Sequence, residues 1–384
     1  MQTSDEKILT THVGSLPRPR QLAEAMVARD RGQLGAAPLE ALPQQVRDAV
    51  EEIVKQQVAA GIDVVNDGEA SKIGYSTYVR ERLTGFEGKG EGLTIWDLHD
   101  VPEFAERALK GLDPATPACT GPIAYKGQAA LDEDIANLKA ATAGSGATGM
   151  FMTAAAPGVI GIYLENQHYA SDEEYWAAIA EAMRVEYEGI ARAGLMLQID
   201  APDLAMGRHV NKKLLDLADF RREIEQRIEI LNHACRNIAP EKIRLHLCWG
   251  NYHGPHHHDA DLADIVDIIL KAKVGALSFE GANPRHQHEW RVWEDRKIPE
   301  NLILIPGVID TCTSYVEHPQ LVADRIERFA GIVGRDRVIA STDCGFANFA
   351  SYEIVDPKIA WMKLAALSEG AALASRKLWR RSAA

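Results

Sequence analysis

The feature that most constrains this chain is the regular alternation of short apolar runs with long amphipathic stretches along its 384 residues. Runs rich in β-branched residues predict buried strands, and stretches of helical period predict helices packed against them. Strands that alternate with helices in this way pair in parallel, with the helices outside the sheet. Nine segments have the pattern of a strand: 8–13, 63–66, 118–123, 150–155, 196–200, 244–248, 276–280, 302–308 and 338–342.

The predicted fold is a single α/β barrel of the (β/α)8 type, because eight of these segments would fill its eight strand positions. Segment 118–123 is expected to be the one that does not form a barrel strand, since the helical pattern around it is the weakest in the chain. The competing fold is a doubly wound open sheet, but no GxGxxG motif opens a helix after any predicted strand. We expect one domain over residues 1–384, with residues 14–60 and 77–117 leaving the barrel.

Three helices carry start or stop signals in the sequence. Ser171 begins a capping box, and Gly194 follows the last turn of the same helix. Asp356 and Pro357 are an N-cap residue and a first helical residue. The segment 259–275 begins with acidic residues and predicts a helix that ends near its terminal glycine.

Charge and composition exclude several classes of partner. The net charge is −13, whereas nucleic acids and anionic membranes require a basic surface. The first residues lack the basic and apolar segments of a signal peptide, and the five cysteines form no CxxC pair. We therefore expect a cytoplasmic enzyme with reduced thiols, and neither a nucleic acid nor a membrane as partner.

Three predicted strands end in residue types that bind metals. The segment RLHLC ends in His246 and Cys248, whose side chains share one face of the strand because strand periodicity is two. ALSFE ends in Glu280, and VIASTDCG runs through Cys344. In a (β/α)8 barrel these strand ends meet at one face, where reactive groups lie.

Nitrogen and sulfur donors of this kind suit a tetrahedral zinc ion. Two thiolates and a carboxylate around Zn²⁺ leave a net charge of −1, which suits activation of an incoming thiol better than acidification of water. Each motif alone also has a structural interpretation: an HxC pair is usually core packing, and a cysteine before a glycine is an ordinary strand end.

The motifs HLCWGNY, SFEGANPR and STDCGF resemble the zinc-binding segments of the catalytic barrel of cobalamin-independent methionine synthase. ILTTHVGSLPRP, DVVNDGEASKIGY and LQIDAPDLAM resemble further motifs of that family in the same order, so the resemblance covers nearly the whole chain. It implies a stand-alone TIM barrel of the methionine synthase and uroporphyrinogen decarboxylase type, close also to epoxyalkane:coenzyme M transferase. It also implies a cofactor, Zn²⁺, with the ligands His246, Cys248, Glu280 and Cys344.

The same resemblance implies a binding site for the amino-acid thiol homocysteine, formed by Val13, Gly14, Ser15, Glu69 and Asp200. Two carboxylates at the barrel rim suit the ammonium group of such a substrate. The alternative is that Glu69 and Asp200 are bonded to the backbone or to an arginine such as Arg18 or Arg80.

The sequence departs from the family pattern in three places. The chain has room for one barrel where the full-length synthase has two, and only Tyr163 lies near the position of the tryptophan that stacks on folate. Where the synthase has Asp-x-His, this chain has Asp310 followed two residues later by Cys312. We assign catalytic roles to Asp310, which matches, and to His253 as a proton donor after the HxC strand. The run 256–258 is interpreted as a solvated loop or helix start.

The predicted function is zinc-dependent transfer of a methyl or alkyl group to a thiol, with the substrate thiolate bound to zinc as nucleophile. Homocysteine S-methyl transfer is the preferred interpretation. The alternatives are an epoxyalkane:coenzyme M transferase, which forms or cleaves a 2-hydroxyalkyl thioether, and a lyase or decarboxylase on the same barrel. The expected partners are a small thiol and a methyl-folate, methyl-corrinoid or epoxide donor; a corrinoid protein or a homo-oligomer is compatible with this function.

Overall fold

The computed structural model describes residues 2–108, 116–210 and 216–379. The strands of this part of the chain are β1 Leu9–Thr10, β2 Val64–Val65, β3 Gly88–Gly90, β4 Thr116–Cys119, β5 Gly149–Ala155, β6 Glu165–Asn166, β7 Met196–Asp200, β8 Ile243–Leu247, β9 Ala276–Phe279, β10 Ile303–Ile309 and β11 Ile339–Thr342.

Eight of these strands form a parallel barrel. Their order is β1-β11-β10-β9-β8-β7-β5-β2, and every neighbouring pair is parallel. The two end strands are joined by hydrogen bonds: the Asp63 N–H donates to the Thr10 carbonyl at 3.1 Å, and the Thr11 hydroxyl donates to the Val64 carbonyl at 3.0 Å. The predicted (β/α)8 architecture is therefore confirmed.

The strand expected to be left over does lie outside the barrel. Its segment was predicted at 118–123, whereas β4 occupies Thr116–Cys119, pairs antiparallel with β3 and parallel with β6, and forms a separate small sheet. Residues 14–60 contribute the first two helices, and the second predicted excursion includes residues 109–115, which lie outside the described residues.

The helices of the described residues are α1 Arg20–Asp30, α2 Ala36–Ala59, α3 Val79–Arg82, α4 Trp96–His99, α5 Pro102–Ala108, α6 Gln128–Thr142, α7 Pro157–Tyr163, α8 Asp172–Arg192, α9 Gly207–Val210, α10 Leu217–Ala234, α11 Leu262–Ile269, α12 Pro319–Val333 and α13 Pro357–Leu378. Within the parts of the chain that the structure covers, no helix combines the length and apolar character that a membrane crossing requires.

Two of the three helix predictions are confirmed. The Ser171 hydroxyl accepts from the Glu174 N–H at the start of α8, and Asp356 caps α13 by accepting from the Lys358 N–H. The third was wrong about the end of its helix, because α11 stops at Ile269 rather than near Gly275. The side chain of Asn232 on α10 binds the backbone of the following turn, at the Lys271 carbonyl and the Lys273 N–H.

The barrel interior is apolar in part and polar in part. Beside a small apolar cluster, the guanidinium of Arg244 donates to Gln198 Oε1 at 2.6 Å and lies 3.5 Å from the ring centroid of Phe151. Two residues further along their strands, His246 and Asp200 reach the carboxyl end of the barrel. The apolar cluster, separate from the larger core beneath the helices, contains Leu9, Ala276, Ile303, Ile305 and Ile339.

Candidate metal centre and substrate cavity

A cavity of about 440 Å³ opens at the carboxyl ends of the barrel strands. Its volume is in the range of small-molecule sites, and this end of a (β/α)8 barrel is where such sites lie. The predicted site residues that line it are Val13, Ser15, Glu69, Asp200, His246, Cys248 and Cys344. Residues far apart in the chain therefore meet in one cavity, as the sequence motifs predict.

His246, Cys248 and Cys344 form a buried group whose potential ligand atoms all lie within 4.8 Å of one another. The two Sγ atoms are 3.9 Å apart. Two sulfur ligands about 2.3 Å from a tetrahedral zinc ion would be about 3.8 Å apart. Neither ring nitrogen of His246 has a hydrogen-bond partner among the described residues, although the side chain is buried. The donor types, the sulfur separation and the unpartnered imidazole all fit zinc.

The two thiols influence each other's pKa strongly. The neighbouring Cys248 thiol, and to a smaller extent His246, hold the pKa of Cys344 well below its usual range. The pKa of Cys248 is raised well above its usual range by the same contact and by burial. Two thiolates at this separation repel each other, so a cation bound between them would favour the ionisation of both.

Glu280 lies at the end of β9 as predicted, but it is not part of the three-residue group. Its Oε1 accepts from the Trp249 N–H at 3.0 Å, and its Oε2 accepts from the Asn283 amide at 2.7 Å. Burial raises the pKa of Glu280 to about 8. The carboxyl is therefore held in place by Trp249 and Asn283, and its role as fourth ligand stays a prediction.

Asn283 and Asp343 position this carboxyl, and the sequence interpretation assigned them no role. The carboxylate of Asp343 accepts from the N–H groups of Gly281, Ala282 and Asn283 at 2.8–2.9 Å. It thereby holds the loop that carries the Asn283 amide. Both residues lie inside the quoted motifs. Their closeness in sequence to Glu280 and Cys344 was the signal that could have identified them.

Glu69 and Asp200 form the second group of ionisable residues in the cavity. Glu69 Oε1 accepts from the Thr153 hydroxyl at 2.8 Å, while the buried Oε2 has no hydrogen-bond partner among the described residues. Burial, and then the charge of Glu69, raise the pKa of Asp200 well above its usual range. One unpartnered carboxylate oxygen beside a second acid is an arrangement that a cationic group would stabilise.

The two arginines considered as partners for these acids bind elsewhere. Arg18 donates to the main-chain carbonyls of Glu69 and Lys72, at 2.7 and 2.9 Å, and not to a carboxylate. Arg80 forms an ion pair with Asp30. The interpretation of Glu69 as the partner of an arginine is therefore not supported.

The segment of Val13, Gly14 and Ser15 packs against these acids. Gly14 has a φ of +148°, and a Cβ there would lie 2.7 Å from Thr153 Cγ2 and 2.8 Å from Glu69 Oε1. The Ser15 hydroxyl donates to Asn348 Oδ1 at 2.7 Å. Gly14 does not itself line the cavity in the described residues, but its missing side chain leaves room for the Glu69 carboxylate.

An aromatic wall, defined here as Tyr75, Tyr163 and Phe349, lines the same cavity. The rings pack edge to face or tilted at 5.6–6.3 Å, and the Tyr75 hydroxyl donates to that of Tyr163 at 3.0 Å. The sequence interpretation placed Tyr163 near a donor site but missed its two partners, which come from distant segments. The wall therefore gives an aromatic surface to the cavity that Cys248 and Cys344 also line.

The two residues that were assigned catalytic roles, Asp310 and His253, lie outside the described lining of the cavity. The carboxylate of Asp310 accepts from the Cys312 N–H at 2.9 Å and from the Thr313 hydroxyl at 2.6 Å, as in a turn. His253 is exposed and packs its ring 5.7 Å from that of Phe104. Neither residue is thus among the described residues that line the cavity, and their catalytic roles stay predictions.

The chain belongs to the cobalamin-independent synthase family: the model of its catalytic domain matches residues 8–94 and 161–367. This match, the barrel and the position of the cavity agree with the family expected from the motifs.

Curated relatives of two kinds are similar to the chain over nearly its full length. A methionine synthase of Thermococcus kodakarensis is 26% identical over 372 residues, which cover 97% of this chain and 94% of the relative. A 2-hydroxypropyl-CoM lyase of Xanthobacter autotrophicus is 26% identical over 408 residues, with 97% and 96% covered. A solved B12-independent methionine synthase from a Shewanella species shares the fold, with a TM-score of 0.73, 22% identity and coverage of 97% and 99%.

Proposed function

We propose that this chain transfers a methyl or alkyl group to the sulfur of an amino-acid thiol, with homocysteine as the acceptor. The observation that carries the proposal is that the His246–Cys248–Cys344 group and the unpartnered oxygen of Glu69 share one cavity. An amino-acid thiol presents a sulfur and an ammonium group on one short chain, which suits these two features. Membership of the family and the methionine synthase relatives support the same reaction class.

Zinc is the proposed cofactor, held by His246, Cys248 and Cys344 with Glu280 as a fourth ligand. Bound there, it would lower the pKa of a coordinated thiol and make thiolate available near neutral pH. The carboxylate of Glu69, with Asp200 beside it, binds the ammonium group of the acceptor and thereby orients its sulfur. The aromatic wall excludes water from the nucleophile and contacts the apolar part of the alkyl donor.

A second candidate function is the formation or cleavage of a 2-hydroxyalkyl thioether of coenzyme M. The lyase from Xanthobacter autotrophicus favours it, since its similarity to this chain is as extensive as that of the methionine synthases. Arg31 also lines the cavity and would offer a cation to a sulfonate. The charge required of the acceptor separates the two functions, because Glu69 favours an ammonium group and Arg31 a sulfonate.

The test is the release of protons when homocysteine or coenzyme M is added to zinc-loaded protein in weak buffer. We expect homocysteine to release about one proton per chain, as ionisation of one bound thiol requires, and coenzyme M to release little. Proton release with coenzyme M alone would replace the first candidate by the second. A protein that holds zinc and responds to neither thiol would contradict both.

A further inference from the structure

A second group of buried side chains of the types that bind metal ions lies outside the described lining of the cavity. Potential ligand atoms of Asp97, His209 and Asp259 all lie within 4.8 Å of one another, and none of the three is among the residues described as lining the cavity. Asp97 is on α4, His209 is on α9, and Asp259 is in the loop between β8 and α11. We propose that these three residues bind a divalent metal ion, distinct from the one assigned to His246, Cys248 and Cys344.

The geometry of His209 is the main evidence. Its side chain is fully buried, and neither ring nitrogen has a hydrogen-bond partner within the described parts of the chain. Nevertheless, its Nδ1 lies 3.0 Å from Asp259 Oδ1. Two atoms that bind one ion, each about 2.1 Å from it and at right angles, also lie about 3.0 Å apart without pointing at each other. A buried imidazole whose two nitrogens make no well-aligned hydrogen bond among the described residues is unfavourable, and a metal ion would satisfy it.

Hydrogen bonds from neighbouring side chains hold both carboxylates in place. Asp97 Oδ2 accepts from the Tyr252 hydroxyl at 2.7 Å. Asp259 Oδ2 lies 2.9 Å from His286 Nε2, and the other nitrogen of that imidazole lies 2.8 Å from Glu289 Oε2. Partners of this kind orient the ligands of metal sites in proteins. These contacts therefore hold the carboxylates of Asp97 and Asp259 close to the imidazole of His209.

A neighbouring histidine pair does not offer an equivalent site. His257 and His258 also approach Asp97, but their Nε2 atoms both contact Asp100 Oδ2, at 3.0 and 2.7 Å. Their side chains are 42% and 35% exposed, so water and Asp100 satisfy them. His257 and His258 thus form a surface ion-pair cluster with Asp100, whereas His256 is largely buried with its Nδ1 3.1 Å from Asp259 Oδ2. Neither ring nitrogen of the buried His209 makes a well-aligned hydrogen bond among the described residues.

The ligand set indicates the kind of ion and its role. The ligand set is one imidazole nitrogen and two carboxylate oxygens, and the absence of sulfur from the three ligands suits Mn²⁺, Fe²⁺ or Zn²⁺. Such an ion would join α4 and α9 to the loop that follows β8. Tyr252 belongs to that loop and lines the cavity, so the ion would stabilise one wall of the substrate site.

Cobalt titration of the chelator-treated full chain tests the proposal, because thiolate-bound Co²⁺ has near-ultraviolet charge-transfer bands that nitrogen and oxygen ligands do not produce. We expect about two equivalents to bind, one with these bands and one with visible d–d bands alone. His209→Leu should lose the second equivalent and keep the first, and Cys248→Ser should do the reverse. Saturation of the wild type at about one equivalent, or equal binding by His209→Leu, would overturn the proposal.

A measurement on the unaltered chain covers the case in which His209→Leu does not fold, as judged by circular dichroism. After the thiols are blocked, Mn²⁺ binding followed by electron paramagnetic resonance should still show about one site per chain. Absence of that signal would also overturn the second site. Neither result depends on thiol-coupled proton release, so failure of the proposed function leaves this inference testable by itself.

Discussion

The Sγ atoms of Cys248 and Cys344 lie 3.9 Å apart although 96 residues separate the two cysteines in the chain. Cys248 follows β8 and Cys344 follows β11, and two further strands lie between these in the sheet order. The contact therefore crosses the mouth of the barrel and exists only because the sheet closes. A sulfur pair positioned by the fold itself needs little reorganisation when a metal binds.

Replacing Cys248 by serine should remove zinc. The variant keeps the size of the side chain but loses a thiolate, and we expect the affinity for zinc to fall by at least about 100-fold, since loss of an outer hydrogen-bond partner alone costs 10- to 100-fold. Metal content after dialysis against a weak chelator measures the effect. Cys235→Ser is the matched control, because burial raises the pKa of that thiol to about 12 and it does not line the cavity in the described residues. Equal zinc in both variants would sink the ligand assignment.

The barrel and the meeting of the candidate ligands His246, Cys248 and Cys344 could be predicted from the sequence because their signals are local. The strands of a parallel barrel all end at one face. The HxC pair, the glutamate at a strand end and the DCG motif are therefore expected to meet once the barrel has formed. The closed sheet, the left-over strand and the adjacency of His246, Cys248 and Cys344 agree with that argument.

Other features depend on contacts between distant segments and had no local signal. Asn283 positions Glu280 only because Asp343, from a different strand end, holds its loop. The contact of His257 with Asp97, which lies in the segment before β4, likewise had no local signal. Propensity and motif spacing do not encode such side-chain pairings, which arise from tertiary packing.

Replacing Glu69 by glutamine should weaken binding of an amino-acid thiol. The amide can keep the contact with the Thr153 hydroxyl but removes the charge that faces the ammonium group. We expect KM for homocysteine to rise about 10- to 100-fold, with a smaller change in kcat, because hydrogen bonds to charged groups contribute roughly 1.5–3 kcal/mol. Steady-state kinetics over a range of homocysteine concentrations measures the effect.

Two comparisons make the Glu69 prediction specific. Glu52→Gln is the matched control, since Glu52 is exposed on α2 and contacts Gln56, and its KM should equal that of the wild type. Coenzyme M has no ammonium group, so its binding should not weaken in Glu69→Gln. A KM for homocysteine that is the same in wild type and Glu69→Gln would show that the carboxylate does not bind the acceptor.

Replacing Gly14 by alanine should damage both stability and thiol binding. The residue has φ +148°, and the added Cβ would lie 2.7 Å from Thr153 and 2.8 Å from Glu69, so the carboxylate must move. We expect the free energy of unfolding to fall by about 1–3 kcal/mol and homocysteine binding to weaken. Urea unfolding and thiol titration measure the two effects.

Gly144→Ala separates backbone strain from the steric effect on Glu69. Gly144 also has a positive φ, +73°, but a Cβ there meets no atom within 4 Å. Its substitution should lower stability by about 1 kcal/mol and leave thiol binding unchanged. If Gly14→Ala bound homocysteine as tightly as Gly144→Ala, the space beside Gly14 would have no role in the acceptor site.

Stability below neutral pH should depend on His12, which is buried beside α2 with its Nε2 atom 2.7 Å from Oε1 of Gln57 on that helix. Burial lowers the pKa of His12 to about 3, with a smaller contribution from Arg244, whereas the unfolded chain has the usual value of about 6.5. The folded state therefore binds fewer protons than the unfolded state between these values. The stabilising contribution is present above pH 6.5 and is lost as the pH falls toward 3.

The expected loss between pH 7 and pH 4.5 is about 3 kcal/mol of unfolding free energy for the wild type relative to His12→Gln, since each unit of pKa difference corresponds to about 1.4 kcal/mol. Glutamine does not titrate and can keep a hydrogen bond to Gln57, so the variant isolates the imidazole. Urea unfolding of both proteins at the two pH values measures the difference. Parallel losses in the two proteins would mean that His12 is protonated at no special cost in the folded state, and that the acid sensitivity of this barrel has another source.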